Sequence, residues 1–117
     1  MARDRERGMV TAETAVVLPV LLVVLAAAVA AVVLVGAQLR CVDGSREGAR
    51  AAARGESAAV VSDLAGRAGP DGATVVTATT GDRVQVTVSA RVQPLGPLPL
   101  ALTVSATATA LVEPGAG

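Results

Sequence analysis

Phe, Tyr, Trp, His and Lys are all missing from this sequence, and cysteine occurs once, as Cys41. Without aromatic rings the chain offers no platform on which bases could stack, and its ten Arg, balanced by ten acids, are scattered and form no basic block. Nucleic acid is therefore not an expected partner. With no His and one Cys, neither a His/Cys metal cluster nor an internal disulfide can form, which leaves Cys41 a free thiol or half of an interchain bridge. Leu39-Arg40 ahead of Cys41 do not make a lipobox. General acid–base chemistry would fall to carboxylates alone, yet Asp43, Glu47, Glu56, Asp63, Asp71 and Asp82 are spread over expected solvent faces and turns. No catalytic residue, cofactor, metal or small-molecule substrate is expected.

Aliphatic residues dominate instead. Apolar residues make up 52% of the chain, so Val, Leu and Ala must do the burying. From Thr14 to Leu39 there is no charge over 26 positions, a helix about 39 Å long at 1.5 Å per residue. That exceeds the roughly 30 Å of a bilayer's hydrocarbon core, so a single span with some tilt is expected. A cleaved secretory signal would have a shorter apolar region, and here the run continues past the Ala-rich stretch from Ala26 to Ala31 into Val32 to Val35. Release into the medium by cleavage in that stretch ranks third among the readings. Pro19, inside the run, removes one helical hydrogen bond and predicts a kink near Ala15.

Glu13 stands at the mouth of this run. In the first turn of a helix near the headgroups a carboxylate is cheap, because the macrodipole and nearby water favour it. A second reading comes from what precedes it: were the chain cut between Gly8 and Met9, the new amine would lie about 6 Å up the helix from Glu13. Such an amine could neutralise a carboxylate, most usefully one on the next subunit, and charge pairing in a low dielectric rewards correct register. Arg3, Arg5 and Arg7 precede the span and Arg40, Arg46, Arg50 and Arg54 follow it, so charge bias alone does not orient the chain.

The order of a short charged leader ending in Gly8, then Met9, Glu13 and an Ala-Val-Leu stretch broken by Pro19 resembles the TadE-like family of minor pilins, pseudopilin components of tight-adherence (Flp-type) pilus systems. The segment Arg46-Glu47-Gly48-Ala49-Arg50-Ala51-Ala52-Ala53-Arg54-Gly55 is similar to the Arg/Ala-rich stretch that follows the span in that family. The resemblance implies cleavage after Gly8 by a prepilin peptidase, with Glu13 as the carboxylate for subunit pairing or peptidase recognition. It also implies an extracytoplasmic C-terminal domain. The implied partners are the membrane, the peptidase, an inner-membrane assembly platform with its ATPase, and major or other minor pilins.

Beyond the span, 40–69 is expected to be helical. Arg46, Arg50 and Arg54 recur every fourth residue, and Asp43 and Glu47 share a face by the same spacing. The stripe reads first as a solvated face with local ion pairs, and second as a docking stripe for an acidic partner or phospholipid headgroups. Gly44, Gly48 and Gly55 weaken a helix by roughly 1 kcal/mol each relative to Ala, yet permit close packing. A short helix is expected over 57–67, with Ala58, Val61, Leu64 and Ala65 on one face, stopped by Gly69-Pro70.

From residue 70 to 112 the period changes to two. Thr74 to Thr80 and Arg83 to Val92 read as strands about a Gly81-Asp82 turn, and a third strand places Leu102, Val104, Ala106, Ala108, Ala110 and Val112 on one face. Pro94 to Leu100 is expected to be an extended connection, and 113–117 a frayed tail. The expected fold is α+β: a leader over 1–8, a long hydrophobic helix over 9–39, a helical segment, and a small three-stranded antiparallel sheet, the lollipop shape that the resemblance implies. The expected function is that of a structural minor pilin. The alternative is a single-span envelope protein whose small β-domain binds a surface partner and never enters a filament.

Overall fold

The computed structural model describes residues 2–112, and the expected tail at 113–117 lies outside them. Helix α1 runs from Ala2 to Ala53 without a break, through Pro19 and across both boundaries expected at 8/9 and 39/40. Helix α2 (Ala58–Ala68) and strands β1 (Thr74–Thr80), β2 (Arg83–Val92) and β3 (Leu102–Leu111) form a head at its far end. The fold is the expected α+β one, drawn out to 89 × 21 × 18 Å.

Two environments divide α1. Between Glu6 and Val33 its side chains are almost all exposed, although they are nearly all Val, Leu and Ala beyond Thr14. Only a helix that closes its own backbone hydrogen bonds can present such a surface to lipid. From Cys41 onward the pattern becomes that of a core helix: Cys41, Gly44, Ser45, Gly48, Ala49, Ala51 and Ala52 are buried, at the i, i+3, i+4, i+7 spacing of one face. Small residues there let α2 and the sheet come close. A β-carbon added at Gly44 would meet the Ala65 carbonyl oxygen at 2.7 Å, and one at Gly48 would meet Val86 Cγ1 at 2.7 Å. The expected role of both glycines in close packing is therefore realised. Gly55 differs: it lies past the helix end with φ +80°, its N–H bonded to Ala52 O and that of Glu56 to Ala51 O. This is a Schellman cap, in which a left-handed residue satisfies the last carbonyls, so Gly55 does not weaken the helix interior.

Ser57 caps α2 through its hydroxyl, which accepts from Val60 N at 3.3 Å, and Gly69-Pro70 ends it. Val61 and Ala65 are buried as expected, whereas Ala58 is exposed. The sheet order is β1-β2-β3, all antiparallel. Thr80 pairs with Arg83 across Gly81 (φ +60°) and Asp82, the two-residue turn expected there, with glycine at the first central position as type II′ requires. Val84, Val86, Val88 and Ala90 are buried, so the alternation in β2 sorts a dry face from a wet one. On the wet face Thr87 and Thr107, directly opposed, share a hydrogen bond of 2.8 Å.

The connection between β2 and β3 is not extended. Gly96 adopts φ +61°, Leu98 N–H donates to Leu95 O at 3.4 Å, and Leu100 N–H donates to Leu98 O at 2.8 Å. Pro97 and Pro99 each pre-set the φ that such tight turns need, which is why the segment folds back on itself. The core behind it is small. Its largest fully buried side chains are Val61, Val86, Val88, Cys41 and Ser45, and Ser45 satisfies its hydroxyl on Val42 O at 2.9 Å.

Candidate functional site

The residues singled out for processing and assembly all lie on the part of α1 that touches no other element. A continuous helix sets Met9 and Glu13 one turn apart on the same side, about 6 Å along the axis. Both are exposed, and Glu13 has no ion-pair partner among the described residues. Beyond its chain neighbours and the surrounding helix backbone, Gly8 has no heavy atom within 4 Å of where its β-carbon would be. Nothing in the monomer demands a glycine there, unlike at Gly44 or Gly48, and inside a helix it costs about 1 kcal/mol relative to Ala. Around Glu13 the hydroxyls of Thr11 and Thr14 bond back to Arg7 O and Val10 O, each at 2.9 Å. That arrangement satisfies both threonine donors on the helix's own carbonyls, as a helix in an apolar medium requires. Pro19, one and a half turns on, has no N–H for Ala15 O.

Arg46 and Arg50 are exposed on the face of α1 opposite its buried residues, and Arg54, also exposed, lies one residue past the helix end. Arg50 approaches Glu47 at 3.8 Å, and the loosely held Arg67–Asp63 pair on α2 is 3.2 Å apart. Exposed pairs of this kind add little to stability. The helix rise sets Arg46 about 10 Å and Arg50 about 16 Å beyond Leu39. Cys41 is fully buried, its thiol 3.9 Å from Val104 O, and burial pushes its pKa above the ordinary thiol value. In this fold it is not accessible for an interchain disulfide. Among the described residues no group of three or more Cys, Asp or Glu could hold a metal ion.

Gln38 was not singled out by sequence reasoning. Its Nε2 donates to Ser105 O at 2.8 Å and ties β3 to the last turn of the apolar run. The signal in the sequence is that Gln38 is the one side-chain amide in the apolar run, in its last turn, where the helix gains a protein neighbour.

Residues 8–50 match a family model described as TadE-like protein. The match covers α1 from Gly8 to Arg50, including Glu13, Pro19 and Arg46, and leaves α2 and the sheet outside it. No curated protein and no solved structure matches the chain significantly. The matched family is a structural, pilus-associated one, and α1 is the one helix among the described residues long and apolar enough to cross a membrane.

Proposed function

We propose that this chain, TadE-like over the helix that carries Gly8 and Glu13, is a minor pilin of a tight-adherence pilus or a related secretion apparatus. It is inserted by α1 with the head extracytoplasmic, cut after Gly8 by a prepilin peptidase, and then drawn by the platform and its ATPase into contact with other pilins. The observation that carries this reading is the pairing of the family match with a carboxylate, unpaired among the described residues, at the mouth of an apolar helix exposed over most of its length. An exposed apolar rod has two favourable fates, lipid and a stack of like rods, and a filament supplies the second. In such a stack Glu13 loses its water, and a Met9 ammonium freed by cleavage would neutralise it. The glycine that the monomer does not need is what a peptidase requires of a small residue before the cut, and the helix is least costly to unwind there.

Two measurements test the reading. The amino-terminal peptide of the mature protein, read by mass spectrometry, is expected to begin at Met9, and a Gly8→Val variant is expected to keep residues 1–8. Because a chain translated from Met9 would ignore the Gly8 substitution, the variant separates processing from an internal start. Glu13→Gln is expected to leave membrane insertion intact and to abolish or alter incorporation into fibres. Normal piliation through Glu13→Gln protein would favour the envelope-protein reading instead.

A further inference from the structure

The strands of the head point back toward the membrane. Gly48 sits over Val86, Cys41 beside Val104, and Gln38 on Ser105, and residues at the end of β2 line a cleft with Val33, Gly36 and Arg40. Strand and helix thus descend together: twelve residues of α1 from Gly48 to Gly36 cover about 18 Å, and six of β2 from Val86 to Val92 about 20 Å. The β2–β3 loop leaves the sheet at this lower end. It therefore lies beside the last turns of the apolar run and not above them. That run is about six residues longer than a 30 Å hydrocarbon layer needs, so if the layer begins near Thr14 it ends near Val33, at the level of the loop.

The chemistry of the loop suits that level. From Pro94 to Leu102 there is no polar side chain over nine residues, whereas the other connections carry Glu56, Asp71 and Asp82. Leu98 is 55% exposed, Leu100 45% and Leu102 42%. Surface loops are ordinarily polar because water must solvate them. The loop's compact turns bond Leu98 and Leu100 N–H within the loop, so these amides do not need water. Exposed Arg40 and Arg91 flank the cleft above it, where guanidinium groups can reach phosphates, with Asp71 as the one acid.

We propose that residues 94–102 are a foot that rests in the interfacial layer of the same phospholipid bilayer that α1 crosses, with Leu98, Leu100 and Leu102 below the headgroups. The foot holds the head upright at a fixed depth. This rests on α1 spanning a membrane and is independent of cleavage after Gly8 and of filament entrance.

The chain contains no Trp or Tyr, so one introduced Trp is a probe without background. Leu98→Trp, Leu22→Trp at mid-span and Thr79→Trp at the head's distal end are each placed in the full chain and reconstituted in phosphatidylcholine/phosphatidylglycerol vesicles carrying nitroxide lipids at shallow or deep positions. Protection of Cys41 from thiol reagents verifies the head in each variant. The foot predicts that Leu98→Trp emits to the blue of Thr79→Trp and is quenched most by shallow nitroxide, while Leu22→Trp is quenched most by deep nitroxide. Leu98→Trp emission and quenching equal to those of Thr79→Trp, with Leu22→Trp deeply quenched, overturns the foot and leaves the span standing. If Leu22→Trp is not quenched either, the span fails and the foot with it. Blue emission that follows protein-to-lipid ratio and ignores nitroxide lipid assigns the surface to a second copy of the chain and also overturns the proposal.

Discussion

Replacing Gly44 by Ala should destabilise the head, and replacing Gly66 by Ala should stabilise it, although both are glycines inside helices. The helix-propensity gain is common to the two and amounts to about 1 kcal/mol. What differs is the space. A β-carbon at Gly44 would lie 2.7 Å from Ala65 O and 3.2 Å from both Gly69 Cα and Gly69 N, all backbone atoms that cannot rotate away, so α2 must back off from α1. At Gly66 the nearest atom is Val75 Cγ2 at 4.0 Å, an ordinary contact. Overpacking in a tight core costs typically 1–3 kcal/mol, and a 2.7 Å approach to a backbone oxygen belongs to the upper part of that range, about 2–3 kcal/mol, which leaves Gly44→Ala destabilised by about 1–2 kcal/mol after the propensity gain of about 1 kcal/mol. Gly66→Ala should gain about 0.5–1 kcal/mol. Cys41, the single cysteine and fully buried, supplies the assay. When the head opens and recloses faster than the reagent reacts, thiol labelling of the intact chain in detergent follows the open population. Gly44→Ala should label roughly 5–30 times faster than the parent chain and Gly66→Ala roughly 2–5 times slower. Gly48→Ala, whose β-carbon would meet Val86 Cγ1 at 2.7 Å and Ala65 Cβ at 3.0 Å, should follow Gly44→Ala. Equal labelling of Gly44→Ala and Gly66→Ala would refute the claim that backbone proximity, and not helix propensity, selects these glycines.

Other outcomes follow from the same core. Val86→Ala removes two buried carbons from one of the largest fully buried side chains and should cost about 2 kcal/mol, a roughly 30-fold rise in Cys41 labelling. A pH dependence is expected from Cys41 itself, since burial raises its pKa in the folded head while the unfolded chain keeps the ordinary value. Above that ordinary value the unfolded state releases the proton and the folded state retains it, so stability is full below about pH 8 and falls as pH rises through the ordinary thiol range. With no Lys or Tyr in the sequence, no other side chain except the thiol titrates between about pH 8 and 11. Urea unfolding followed by circular dichroism should therefore lose its slope in that range in Cys41→Ala, and a slope that persists contradicts the assignment.

The parts of the fold legible in the sequence were those set by neighbours in the chain. Alternation from Arg83 to Val92 gave β2 both its limits and its dry face, because side chains of a strand must point to alternate sides. Ser57 and Gly69-Pro70 bounded α2 through capping and a missing donor. The readings of Gly8, Glu13 and Pro19 rest on the sequence, since these residues lie on a helix with no tertiary neighbour and the structure adds only that Gly8 is sterically free and Glu13 unpaired. From the sequence Gly55 reads as helix interior, because a run of Ala and Arg hides the helix end, which is set by a left-handed residue and two bonds closing back on Ala51 and Ala52. The prolines of the β2–β3 loop fit extended chain as well as turns, and Gly96, with φ +61°, decides for the turn.

From the residues alone came a length of uncharged helix sufficient to cross a bilayer, a carboxylate at its mouth, and a switch to period-two patterning after residue 70, because each depends on spacing along one chain. Only the folded arrangement decided that Gly44 and Gly48 are contact points, that Cys41 is sealed, and that the end of β2 meets α1 at Val33 and Gly36. Those outcomes depend on which distant segment approaches, a matter of packing volume and strand direction that no local pattern encodes.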